Sequence, residues 1–187
     1  VLRSKEIVFS VYVDKFDQQV TDITTGFSYY IAKESFLNEM FDVANDGTND
    51  LRIREGVGFD YGTDGIKMRK YKQENLWEST EGTVVLIRLS EMYYILAECA
   101  ATPEEAAEFL NKVRSMRGID PVVCTEANRL DEIEKEYRKE FYGEGQLFFF
   151  YKRHAYTTFL HCPVNQMTES NYTVSYTHLT LPTNREV

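Results

Sequence analysis

The sequence predicts a mainly α-helical protein, with tetratricopeptide-like hairpins following an irregular, turn-rich N-terminal half. Three observations carry this. From Val84 onward, apolar residues recur every three or four positions, the spacing of one helix face. Ala101-Thr102-Pro103-Glu104-Glu105 then supplies the signals that end one helix and start the next. Between Asp14 and Thr80 no such rhythm is sustained, and Asn45-Asp46-Gly47 and Thr63-Asp64-Gly65 mark turns instead.

Taken in order, Glu6 to Val13 is rich in β-branched and aromatic residues and predicts a short strand. Phe36, Met40 and Val43 are spaced for a short helix over Ser35–Val43. A long helix is expected over Val84–Ala101, burying Leu89, Met92, Leu96 and Cys99 on one face. Thr102 can cap the next helix, with Pro103 at its first position and Glu105 completing a capping box. That helix turns Ala106, Phe109, Leu110 and Val113 inward and stops at Gly118. So short a turn forces an antiparallel hairpin, and Val84–Arg117 spans 34 residues, the length of a tetratricopeptide unit. A third helix follows, with Leu130, Ile133, Tyr137 and Phe141 on one face; Gly143 and Gly145 interrupt before an aromatic-rich helix over Leu147–Tyr156. Tandem hairpins of this kind stack as a small solenoid. The expected divisions are 1–83 irregular, 84–160 helical hairpins, 161–173 a short C-terminal segment, and 174–187 a tail.

Composition excludes some functions. Net charge is −9 and no basic run exceeds Lys152-Arg153, whereas nucleic-acid binding needs clustered cations to displace counterions. Cys99, Cys124 and Cys162 form no CxxC or Cys/His pattern, and no apolar run is long enough for a membrane-spanning helix. GxSxG, HExxH and phosphate-binding glycine loops are absent. Asp60 to Gly65 imitates the start of a calcium loop, but Gly62 and Tyr71 stand where ligands belong, so a solvated turn is expected. No catalytic residue, metal or cofactor is expected.

The unusual figure is the aromatic content, 13 Tyr, 12 Phe and 1 Trp. Tyr61, Tyr71 and Trp77 lie in the turn-rich stretch just before the first long helix. Their rings could pin that stretch to the helices or offer flat faces to a ligand; as ligand-binding candidates they are the expected set, with Trp77 foremost.

Three ordered stretches carry a family resemblance. Ile87-Arg88-Leu89-Ser90-Glu91-Met92-Tyr93-Tyr94-Ile95-Leu96-Ala97-Glu98 resembles "IRLAEMYLxxAE". Asn111-Lys112-Val113-Arg114-Ser115-Met116-Arg117-Gly118 resembles "LNxVRxRAG". Glu136 to Arg153 resembles "ERRxELxxEGxRxxDLKR", with Phe148-Phe149 where Trp-Asp is frequent and Gln146 replacing Arg. Asn49-Asp50-Leu51-Arg52 and Lys70-Tyr71 fit more loosely. Together these are similar to the SusD/RagB family of nutrient-uptake proteins. The resemblance implies a C-terminal part of a longer outer-membrane lipoprotein that takes glycan or oligosaccharide and delivers it to a SusC-type TonB-dependent transporter. A peptide-capturing RagB-like role, a protein-binding helical scaffold and a glycoside hydrolase are the alternatives. The charged motif residues Arg88, Glu91 and Glu98, with Arg138, Glu140 and Glu144, are expected to form a network that fixes helix register.

Val174-Ser175-Tyr176-Thr177-His178-Leu179-Thr180-Leu181-Pro182-Thr183 resembles one reading frame of the transposase adapter used in short-read sequencing libraries. This tail is therefore expected to stand outside the fold. Deleting residues 174–187 should leave the melting temperature unchanged in a thermal scan; a marked drop would make the tail part of the structure.

Overall fold

The computed structural model describes residues 3–16, 31–63, 65–71, 82–162 and 165–172. The chain divides into two compact units, 1–142 and 143–187. The architecture is mainly helical. The division falls inside the second expected hairpin, so the two units are taken in turn.

The first unit opens with a single helical turn, α1 (Arg3–Glu6), and strand β1 (Ile7–Tyr12). The strand expected over Glu6–Val13 is thus present. It pairs antiparallel with β5 (Thr83–Arg88), with register shifts around Phe9. The second strand corrects the boundary expected at Val84. Thr83-Val84-Val85-Leu86-Ile87 is β-branched almost throughout, and such side chains lose rotamer freedom in a helix but fit a pleat.

Between these strands lies a small three-stranded sheet. Strands β2 (Ile31–Ala32), β3 (Phe59–Gly62) and β4 (Gly65–Met68) pair antiparallel in the order β2-β4-β3. Helices α2 (Glu34–Met40) and α3 (Val43–Asp46) accompany it. Leu37, Met40, Phe41, Ile53, Phe59 and Ile66 form its core, with Phe41 and Phe59 edge to face at 5.8 Å. The half expected to be irregular therefore has a core of its own. At Gly58 an added Cβ would lie 1.6 Å from the Arg52 carbonyl oxygen, so the turn over residues 50–58 can close only around a glycine.

Helices α4 (Leu89–Cys99) and α5 (Pro103–Arg117) form the expected hairpin. Thr102 Oγ1 accepts from the Glu105 N–H at 3.2 Å, while Glu105 reaches back to the Ala101 N–H at 2.9 Å, one residue before its usual target. Gly118 ends α5 in the left-handed region, φ 78°, and Ile119 N–H closes on the Arg114 carbonyl. Leu110 and Val113 are buried as expected.

The buried face of α4 differs from expectation. Ser90, Tyr94 and Ala97 face inward, whereas Leu89 and Leu96 are 39% and 45% exposed and Cys99 is exposed. Both sets have helical spacing, so periodicity alone could not separate them. Two contacts decide the rotation. The Tyr94 ring packs at 5.2 Å from Tyr137 and 6.1 Å from Phe141, and Ser90 reaches a buried carboxylate.

Helix α6 (Arg129–Glu140) packs against both members of the hairpin. It buries Ile133, Tyr137 and, at its end, Phe141, while Leu130 is 37% exposed.

In the second unit, α7 (Gln146–Arg153) buries Phe150 and Tyr151. Tyr151 stacks on Phe159 at 4.1 Å, and the Tyr172 hydroxyl, at the end of α8 (Glu169–Tyr172), donates to the Tyr156 carbonyl at 2.7 Å. The expected helix over Leu147–Tyr156 thus ends three residues early.

Truncations test the rotation of α4. Leu110→Ala should cost about 2–5 kcal/mol, and Leu96→Ala well under half of that because its side chain already meets solvent. Urea unfolding of both variants measures this; equal losses would restore the Leu96-inward face.

Candidate functional site

Two side-chain groupings stand out, a buried ionic cluster and a set of partly exposed rings. The cluster is built on the fourth-residue spacing of α6, which puts Glu136 and Glu140 on one face, with Lys139 beside them. Helix α5 meets that face with Arg114 and Arg117, one turn apart. Glu140 accepts from Arg117 at 2.8 and 3.1 Å, from Arg52 at 3.1 Å and from Ser90 at 3.0 Å, with Arg88 at 3.9 Å. Glu136 accepts from Arg114 at 2.7 Å and Arg52 at 3.1 Å. Asp50 holds the other side of Arg52 at 2.7 Å, and Asp46 accepts from Arg114 at 2.6 Å and from Lys139.

Arg88 and Glu140 meet as expected. Arg138 instead bonds Glu134 at 2.8 Å and the Met40 carbonyl at 3.2 Å, and Glu144 belongs to the second unit. Asp46, Asp50, Arg52, Glu136 and Lys139 were not foreseen as partners. Asp50 and Arg52 carried only the loose resemblance at residues 49–52, with nothing to connect them to α6.

The electrostatics describe a scaffold. Burial alone pushes the Glu140 carboxyl up, but Arg117, Arg52 and Arg88 outweigh it and hold Glu140 well below the usual carboxylate range. Glu136 is lowered in the same way by Arg52, Lys139 and Arg114, against its own burial. Asp46 is also lowered, by Arg114 and Lys139. Glycoside hydrolysis needs a carboxyl raised enough to keep its proton as general acid. These buried carboxylates are held ionised, and every one of them is spoken for by a guanidinium or ammonium group.

The rings are placed differently. Tyr61 sits on β3, 39% exposed, opposite Ile66. Its hydroxyl donates to the Ile53 carbonyl at 2.9 Å, and burial with the nearby Glu34 and Glu55 carboxylates raises its pKa. The ring is therefore a fixed, neutral surface. Tyr71 is half-buried beyond the other end of β4, edge-on to Phe16 at 6.1 Å. The strand register places Tyr61 and Tyr71 toward opposite ends of the ribbon. Trp77 lies outside the described residues.

Asp60, in the calcium-like stretch, is ion-paired with Arg69 at 2.5 Å. Gly62 pairs with Gly65 across a hairpin turn. Among the described residues no grouping of His, Cys, Asp and Glu is arranged to hold a metal ion.

One ring escaped the sequence reading. Tyr12, at the end of β1, is 72% exposed. Gly82 packs against its edge, where an added Cβ would come within 2.7 Å of the ring. The Val13 N–H donates to the Gly82 carbonyl at 2.8 Å, tying that strand end to the residue that leads into β5. The available signal was a tyrosine closing a strand beside Asp14. In the second unit Phe148 and Phe149 are 37% and 64% exposed and meet edge to face at 5.6 Å.

Comparison with known proteins gives one match. The model of the SusD family matches residues 15–186. No curated protein and no solved structure matches the chain.

Lowered carboxylates contribute stability that is complete above their unfolded pKa, about 4.3 for Glu, and is lost as pH falls through the folded values. The melting temperature should therefore drop steeply below about pH 4. Glu140→Gln should cost about 3–5 kcal/mol at neutral pH by removing the buried charge that Arg117, Arg52 and Arg88 share and should flatten the acid limb. Thermal melts of both proteins across pH measure this; an unflattened limb would place the titration elsewhere.

Proposed function

This chain belongs to the SusD family, and on that premise we propose that it captures glycan or oligosaccharide and hands it to a SusC-type TonB-dependent transporter. Family membership supports the coarser role, since members of the family are nutrient-binding proteins of the outer-membrane surface rather than enzymes. No helix among the described residues is long and apolar enough to cross a membrane. Attachment through a lipid anchor accords with this.

The observation that carries the glycan reading is Tyr61. Its ring is exposed while its hydroxyl is tied to the Ile53 backbone. A ring fixed in this way gives a sugar's C–H face a surface to pack on at little entropic cost. Tyr71 and Trp77 complete the proposed ligand set. Binding then rests on stacking, because hydroxyl hydrogen bonds largely exchange with water and add little net free energy. No bond chemistry is involved, in keeping with carboxylates locked into ion pairs.

Trp77→Ala should weaken glycan binding by about 1–3 kcal/mol, the scale of an interface hot spot, with folding nearly unchanged. Titration calorimetry of the full-length protein against an oligosaccharide panel reads both affinity and specificity. Unchanged affinity would remove Trp77 from the site, and binding of peptides alone would replace the glycan reading with peptide capture.

A further inference from the structure

We propose that Lys70 is a positioning residue for Tyr71, an inference that rests on the reading of Tyr71 as a ligand-binding ring. The Lys70 ammonium donates to two main-chain carbonyls, Glu140 at 2.6 Å and Tyr142 at 2.9 Å. These lie at the C-terminal end of α6, where carbonyls lack helical partners and the helix dipole favours a cation. The anchorage is rigid because the Glu140 side chain is itself held by Arg117, Arg52 and Ser90. A clamp between a strand end and a helix end therefore closes one residue before Tyr71.

The residue before Lys70 is pinned as well. The Arg69 N–H donates to the Gly58 carbonyl at 2.8 Å, and its guanidinium pairs with Asp60. Two consecutive residues are thus fixed on different partners immediately ahead of the ring. Tyr71 itself makes an edge contact with Phe16 at 6.1 Å. The clamp at Lys70 fixes the backbone from which that ring projects. Ligand affinity should accordingly depend on a lysine that need not touch the ligand.

The test uses Lys70→Met, which keeps the aliphatic stem and removes the donor. The first readout needs no ligand: the rate at which tetranitromethane nitrates Tyr71, followed by peptide mass spectrometry, with exposed Tyr12 as internal reference. Tyr71 nitration should rise severalfold in Lys70→Met and return toward wild type in Lys70→Arg, which can still donate to both carbonyls. Leu110→Ala, a core truncation elsewhere, should leave the rate unchanged. The second readout is binding to an oligosaccharide array, where Lys70→Met should lose about three- to tenfold in affinity, the cost of re-immobilising one side chain. Unchanged nitration in Lys70→Met, or an equal rise in Leu110→Ala, overturns the proposal. Raised nitration with undiminished glycan affinity also overturns it. Raised nitration in a protein whose wild type binds no oligosaccharide supports the clamp and overturns the glycan reading instead.

Discussion

Glu140 is the point on which the first unit depends. Its carboxylate receives donors from the 50–54 turn, from α5 and from the start of α4, while its carbonyl receives Lys70 from the end of β4. Taking a carboxylate out of water is costly, and the cost is offset only when every lone pair finds a donor. The arrangement is therefore nearly all-or-none. Arg52 bridges three carboxylates, Asp50, Glu136 and Glu140, while Arg114 bridges Asp46 and Glu136 and Arg117 bridges Glu140 and Glu6, so the helices cannot slide past one another without breaking several pairs together. A core of apolar side chains alone would tolerate such sliding better, since leucine packs on leucine in many registers. The cluster selects one.

The same rigid frame adjoins the rings proposed to bind ligand. The ring of Tyr61 is tied to Ile53, one residue from Arg52, and Tyr71 follows Lys70 directly. Arg52 and Lys70 both bond Glu140. On the proposed glycan reading, preordered rings would lose little freedom when a ligand arrives, and their separation along the β3–β4 ribbon would favour an extended chain. Membership of a nutrient-binding family is consistent with a surface of this kind.

Local features were legible in the sequence, and non-local ones were not. Thr102, Pro103 and Glu105 announce a helix start within four residues, and Gly118 announces a stop, because capping bonds join near neighbours. The strand at residues 7–12 was readable for the same reason. The α4 face was misread because Leu89/Met92/Leu96 and Ser90/Tyr94/Ala97 are equally periodic; the tie is broken by Tyr137, Glu140 and Phe141, forty to fifty residues later. Arg52 finds its carboxylates 84 and 88 residues away, a separation at which sequence spacing carries no signal. Among the ring candidates, Tyr61 and Tyr71 could be named from their turn-rich surroundings. Their anchors could not, since those are carbonyl oxygens, which every residue possesses.

The pairing of β1 with β5 has a consequence for biosynthesis. Ile7 lies opposite Arg88, so the first strand leaves the ribosome long before its partner has been made. At about 5–20 residues per second, β1 waits roughly 4–16 s with its edge open. Val8 and Phe9, still 57% and 51% exposed in the folded chain, are bare during that interval, and an unpaired apolar edge is a template for wrong partners. The α4–α5 hairpin, by contrast, needs only its own contiguous residues and can form as it emerges. Strand β1 is thus synthesised some eighty residues before the partner that secures it.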